Sequence, residues 1–266
     1  MNYLTREEIE AADRALPPVV RRTPLIPCAP DFADVANERL FLKLENLQVT
    51  GAYKVRAAFT MLASLTPQQK ACGIVFTSSG NFAQAFALAG KHHGVRTAVV
   101  MLSNTSPYKI SAARALGAEV HLLDGPALDR QRQVEELGQR LNRTVIDTWE
   151  EHAILAGHGT LGLEILRDLG SVEQILVPVS SGGMVAGVAT AVKRVAPQVR
   201  VIGVQPAGAN AAYLSLAAGK PVSIDKWNTI ADGLSARRPG ARPFMHLQRF
   251  LDEIVLVDES DIAGVI

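Results

Sequence analysis

The sequence predicts an α/β fold in which parallel sheets are covered by helices on both faces. Two observations carry that prediction. Apolar, strand-length runs rich in Val, Ile and Leu fall near residues 40–44, 73–77, 96–101, 118–123, 143–147, 174–179, 199–204 and 252–257. Helical segments alternate with them, near 54–64, 81–92, 106–116, 127–141, 158–169, 184–195 and 208–218. Continuous apolar strands joined through helices point to parallel pairing, because the crossover helices bury both faces of the sheet. Eight strands are many for one sheet, so two smaller sheets are expected.

Taken in order, the chain opens with a helix over 5–15, where Thr5 and Glu8 have the spacing of a capping box. Pro17 and Pro18 follow, and residues 19–25 read as extended. The alternation of strand and helix then runs from residue 40 to the end. Residues 219–245 interrupt it, with Pro221, Pro239, Gly240 and Pro243, and read as loop with short helical pieces. No fixed-period repeat or low-complexity segment is evident.

Composition narrows the function classes. At 48% hydrophobic and 20% charged, the 266 residues are those of an ordinary globular protein with a substantial core. A formal net charge of +1 gives no footprint for nucleic acid or an anionic membrane. The apolar runs are too short to span a bilayer. Residues 1–16 lack the basic-then-apolar pattern of a secretory signal. Cys28 and Cys72 fit no disulfide framework, and read as buried thiols of a cytoplasmic protein.

Three stretches carry chemistry. In the first, the strand near 40–44 runs into a polar turn containing Gly51, and a helix begins near Tyr53 with Lys54 in its first turn. A helix N-terminus disfavours a cation, so the placement suits a lysine acting as a neutral nucleophile able to form a Schiff base. Taken alone, it reads as a solvated lysine near a helix start, since exposure is the usual state of lysine. In the second, strand 73–77 ends in Ser78-Ser79-Gly80-Asn81 before an Ala-rich helix. Small hydroxyl residues and a glycine there expose backbone N–H groups, which suits an amino-acid carboxylate or simply an N-cap cluster. In the third, strand 174–179 feeds Ser180-Ser181-Gly182-Gly183-Met184 and another helix. Such a turn binds phosphate through its N–H groups or is a plain tight turn. No lysine follows the glycines, and the spacing is not that of a dinucleotide fingerprint.

Lys43-Leu44-Glu45-Asn46-Leu47-Gln48 followed by Thr50-Gly51-Ala52-Tyr53-Lys54 resembles the lysine motif of the threonine dehydratase and serine racemase family, whose members are fold type II (tryptophan synthase β-like) pyridoxal-phosphate enzymes. Ser78–Asn81, residues 180–184, His158–Ile165 and Thr229–Leu234 match further motifs of that family in the same order. The resemblance implies two αβα domains: residues 1–69 with 147–266 as the large one, and 70–146 as a small inserted one, with the cofactor in the cleft between them. It implies that Lys54 holds pyridoxal 5'-phosphate in a Schiff-base linkage. Asn81 would bond the ring hydroxyl, and Ser180, Ser181, Gly182, Gly183 and Met184 would grip the phosphate. Gly233 would let a backbone turn approach the ring. Ser78, Ser79, Gly80 and Asn81 would hold the substrate carboxylate. Ser79 is the catalytic position that racemase-like members use as a second acid/base, opposite the lysine.

Several positions depart from the family. Ala52-Tyr53 replaces Ser-Phe, Phe82 replaces His, and Ser180 and Ser181 replace glycines, which phosphate binding tolerates if neither serine needs a positive φ. Gln205 and Ala211 stand where racemase-like members carry metal-binding carboxylates, so no metal is expected there. The family normally continues beyond the position of Ile266, with the residue that bonds the pyridine nitrogen. The expected activity is a lyase that dehydrates and deaminates L-threonine or L-serine, acting as a homodimer on a small amino acid. Alternatives are a serine racemase, a 3-hydroxyaspartate dehydratase, or a non-catalytic remnant that binds the cofactor.

Overall fold

The computed structural model describes residues 1–28, 40–78, 80–124 and 130–265. Its helices are α1 (Arg6–Ala15), α2 (Lys54–Ser64), α3 (Pro67–Cys72), α4 (Asn81–His93), α5 (Pro107–Ala115), α6 (Arg130–Leu141), α7 (His152–Leu169), α8 (Gly183–Val195), α9 (Ala211–Ala218), α10 (Ala241–Phe250) and α11 (Glu259–Gly264). Its strands are β1 (Leu25–Pro27), β2 (Phe41–Lys43), β3 (Ile74–Thr77), β4 (Thr97–Leu102), β5 (Glu119–Leu123), β6 (Thr144–Val145), β7 (Gln174–Pro178), β8 (Arg200–Pro206) and β9 (Glu253–Val257). Contacts group the chain into two compact units, Met1–Ala15 with Asp147–Ile266, and Leu16–Ile146. The second unit thus holds residues 16–69 together with 70–146.

The unit of residues 16–146 contains a four-stranded parallel sheet in the order β5-β4-β3-β6. Its central strand β3 is buried on both faces, as parallel pairing requires. Val75 packs with Ala98, Val100 and the α6 residues Val134 and Leu137. The adjacent Phe76 points to the opposite face, where its ring lies 4.6 Å from that of Phe86 in α4. Thr66 and Gln69 cap α3 reciprocally, and Gly94, at φ +65°, closes α4.

The other unit is built on the parallel sheet β7-β8-β9. Strand β7 alternates, with Ile175 and Val177 buried and Leu176 exposed. Helices α7 and α8 approach to backbone contact. A Cβ on Gly187 would stand 2.5 Å from the Leu155 carbonyl oxygen, and one on Gly159 would stand 3.2 Å from that of Gly187. Glycine is therefore a packing requirement at this crossing.

The structure corrects several sequence-based boundaries. There are three sheets among the described residues rather than two, because β1 pairs antiparallel with β2 as a separate ribbon. The helix expected from residue 158 begins at His152, and the one expected from 208 begins at Ala211 after a 3-10 turn. The region read as loop to 245 ends in α10. These starts lack a capping side chain of their own, so no local signal marked them. For α10 the partner is remote: the Ala241 and Arg242 N–H groups donate to the two oxygens of Glu150, at 2.6 and 2.8 Å. Cys28 and Cys72 are free but half-buried, not fully buried. The capping box at Thr5 and Glu8 is present, with both reciprocal bonds formed.

His246, fully buried in α10, ties the N-terminal segment to this unit. The Leu4 N–H donates to its Nε2 at 3.1 Å, while Nδ1 lies 2.8 Å from the Arg242 carbonyl, which can only accept. The ring is therefore neutral, with its proton on Nδ1. Burial, aided by the neighbouring His152, Arg242 and Arg194, pushes its pKa below the ordinary 6.5, against the opposing pull of the Arg242 carbonyl. Below that pH the unfolded chain binds the proton more readily than the folded one. Stability should then fall as pH drops through 6.5, by at most about 1.4 kcal/mol per pH unit from this residue. Urea midpoints measured from pH 7.5 downward test this. His246→Gln should flatten the slope, and an unchanged slope would assign it to other groups.

Candidate functional site

Lys54 is the first residue of α2. The turn before it depends on Gly51, at φ +69°, whose N–H donates to the Gln48 carbonyl. The half-buried Lys54 side chain runs between two rings: Nζ lies 4.5 Å from the centroid of Tyr53 and 4.5 Å from that of Phe82. The negative faces of both rings attract the lysine in its ammonium form, and Phe82 is nearly buried.

What fixes α2 itself is a polar cluster centred on Arg56, which is fully buried. Its guanidinium donates to both Glu45 oxygens at 2.9 Å, and also to the Arg21 carbonyl at 3.3 Å. Thr23 donates its hydroxyl to Glu45, and Lys43 donates to the Thr23 carbonyl. Gln48 bonds the Arg21 backbone in both directions. The motif residues before Lys54 are thus scaffold: they bind residues 21–23 to the helix that carries the lysine. Lys54 and Arg56 stand about 200° apart around the helix, so the cluster locks one side and leaves the amine on the other. Sequence reasoning missed Arg56 and its partners. No periodicity links residues 21, 23, 45 and 56.

Asn81 opens α4 and is exposed. The Gly80 N–H donates to the Ser78 hydroxyl at 3.2 Å, and Ser78 N–H donates to the Val100 carbonyl. The N-cap of α4 is Gly80, so the helix's first N–H groups are not consumed by a side chain of its own N-cap residue. Ser79 lies outside the described residues.

The turn from β7 to α8 meets the condition that the serines imposed. Among described residues outside glycine, only Asn142 has a positive φ, so Ser180 and Ser181 need no special conformation. The left-handed position falls on Gly182, at φ +93°, the N-cap of α8. Its N-cap residue, Gly182, has no side chain to cap it, and Met184 is half-buried in its first turn. Gly233 lies in a 3-10 turn, Asp232–Leu234, is exposed, and has nothing within 4 Å of where a Cβ would stand.

Gln205 is fully buried at the end of β8 and accepts the Tyr213 N–H at 3.0 Å, fastening the start of α9. Among the described residues no group of three or more His, Cys, Asp or Glu could hold a metal ion. No helix among them is long and apolar enough to cross a membrane.

Residues 16–266 match the family described as pyridoxal-phosphate dependent enzyme. The chain belongs to that family. Within it, an L-threonine ammonia-lyase of Thermotoga maritima is 36% identical over 264 residues, covering 99% of this chain and 65% of that protein. A biosynthetic L-threonine dehydratase of Pasteurella multocida is 36% identical over 249 residues, covering 93% of this chain and 48% of its own length. The chain therefore spans about half to two thirds of these relatives. The solved structure of maize serine racemase superposes with a TM-score of 0.94 at 30% identity, over 99% of this chain and 79% of the maize chain. The α/β architecture with parallel sheets is that of these fold type II enzymes.

The residues present fit the group that the family binds. The β7–α8 turn leads into the positive end of a 13-residue helix whose N-cap is glycine, with glycine at its one left-handed position, which suits a phosphate. Lys54 presents an amine held between two rings, which suits an aldehyde.

Proposed function

We propose that this pyridoxal-phosphate family member is a lyase that dehydrates and deaminates a β-hydroxy amino acid such as L-threonine or L-serine, releasing a 2-oxo acid and ammonia. The observation that carries this reading is Lys54 at the start of α2, its amine between Tyr53 and Phe82. The relatives named for L-threonine ammonia-lyase and dehydratase activity support the substrate class.

In this reading the N–H groups of Ser180, Ser181, Gly182, Gly183 and Met184 hold the phosphate. Asn81 would bond the ring hydroxyl, and Gly233 would let its turn approach the ring. Ser78, Ser79, Gly80 and Asn81 orient the substrate carboxylate. The bound cofactor supplies the electron sink that makes the substrate α-proton removable. Lys54 would be the residue that holds the cofactor, and its amine, once free, would be the base that takes the α-proton. Loss of the β-hydroxyl as water, followed by hydrolysis, would account for the 2-oxo acid and ammonia. We read residues 1–69 with 147–266 as the large domain and 70–146 as the small one. Two free cysteines and a net charge near zero support a cytoplasmic protein without nucleic-acid partners, and we take it to be a homodimer.

The similarity to maize serine racemase favours a second reading, racemisation, with Ser79 as the acid/base opposite Lys54. One assay separates the two. With L-threonine or L-serine and added pyridoxal phosphate, the lyase releases 2-oxo acid, whereas a racemase accumulates the D-amino acid. Neither product from L-threonine, L-serine or 3-hydroxyaspartate would leave only a cofactor-binding role.

A further inference from the structure

We propose that Glu150 is a positioning residue for the phosphate-gripping turn, acting through α10, and this inference rests on reading residues 180–184 as that grip. Helix α10 touches the turn in two ways. The Gly240 N–H, at its N-cap, donates to the Ser181 carbonyl at 3.1 Å. A Cβ on Gly182 would stand 3.1 Å from Leu247 Cδ1 and 3.3 Å from Pro243 Cβ, so the side chains of α10 close against the left-handed residue. Any movement of the N-terminus of α10 is therefore transmitted to the backbone whose N–H groups would face the phosphate.

That N-terminus has no side-chain cap within its own segment. Glu150 supplies the cap from outside, with one oxygen on the Ala241 N–H and the other on the Arg242 N–H, at 2.6 and 2.8 Å. A carboxylate at the positive end of a helix is favoured both by the dipole and by charge-assisted bonds. Arg242 returns a bond from Nε to the Glu150 carbonyl, and its Nη1 lies 3.1 Å from His152 Nδ1. His152 Nε2 in turn lies 3.1 Å from a Glu8 oxygen. A continuous polar chain thus runs from α1 through the start of α7 to α10, and from there to the turn. Binding by preorganised N–H groups is sensitive to displacements of a few tenths of an ångström, so loosening the cap should weaken phosphate recognition specifically.

Equilibrium dialysis of the full chain with pyridoxal 5'-phosphate and with pyridoxal tests the proposal, because pyridoxal carries the aldehyde but no phosphate. Glu150→Gln keeps the shape but turns an NH2 group toward a backbone N–H. It should weaken binding of the phosphorylated form about tenfold and leave pyridoxal binding unchanged. Asp252→Asn serves as the control. Asp252 bonds Lys193 and the Val201 N–H at the opposite end of the sheet, so its loss destabilises the same unit without touching the turn. The ratio of the two affinities should stay as in the unmodified chain. If Glu150→Gln fails to fold, Glu150→Asp, which retracts the charge by one methylene, carries the same expectation. Backbone hydrogen exchange gives an independent readout, since protection at Gly240, whose N–H bonds Ser181, and at Ala186, whose N–H bonds Gly182, should be lost together. An unchanged ratio in the Glu150 variant, or an equal fall in Asp252→Asn, overturns the proposal. A wild-type chain with no preference for the phosphorylated form would instead overturn the phosphate reading beneath it.

Discussion

Replacing Lys54 by alanine is expected to abolish covalent retention of pyridoxal phosphate and to lower 2-oxo acid release by about 10⁴-fold, the scale set by losing both a nucleophile and a general base. The structure makes the expectation specific to this lysine. Its Nζ is flanked by Tyr53 and Phe82 on a helix that Arg56 anchors from the other side. Borohydride reduction of the loaded chain, digestion and mass analysis should place the adduct on the peptide containing residue 54. Lys54→Ala should show no adduct after the same treatment, and Lys54→Arg should match it, because a guanidinium keeps the charge without a reactive amine. An adduct on another lysine, or turnover that survives in Lys54→Ala, would remove Lys54 from the chemistry.

How much of this was legible in the sequence depended on whether the signal was local. The parallel strands were readable because each is a continuous apolar run bounded by turn residues, and β3, β4, β7 and β8 fall where that pattern put them. The start of α2 was readable because Gly51 and the change of periodicity mark it. The glycine turn was readable as a site, but the sequence could not say which residue takes the left-handed conformation. The structure puts it on Gly182 and so frees both serines. What escaped were features whose partners are distant in sequence. Helix α10 looked like loop because Pro239, Gly240 and Pro243 are breakers by local rules, whereas its cap is Glu150, some ninety positions earlier. The family motif around Lys43–Gln48 marks the lysine in the sequence. Its physical task, building a buried polar cluster with Arg21, Thr23 and Arg56, required the fold.

That cluster gives the largest expected effect on stability. Arg56→Met should destabilise the unit of residues 16–146 by about 3–5 kcal/mol, because it leaves the Glu45 carboxylate, 12% exposed, without its bidentate partner. The cost comes from the orphaned charge more than from a large net attraction in the intact pair, since burying two ions cancels much of what their contact returns. The distinction is measurable. If the orphaned charge dominates, Arg56→Met combined with Glu45→Leu should be less destabilised than Arg56→Met alone. If the pair itself supplies the stability, the double variant should be at least as unstable. Urea unfolding followed by a probe in this unit decides between them. The same variants bear on the lysine. Arg56 also donates to the Arg21 carbonyl, so its loss frees residues 21–23 from α2 as well as releasing Glu45. The double variant should therefore regain stability without regaining full reactivity of Lys54 toward an aldehyde, because an apolar pair restores burial but not the bonds that fix where α2 begins. Full recovery of both would mean that the cluster serves packing alone, and that Tyr53 and Phe82 suffice to place the amine.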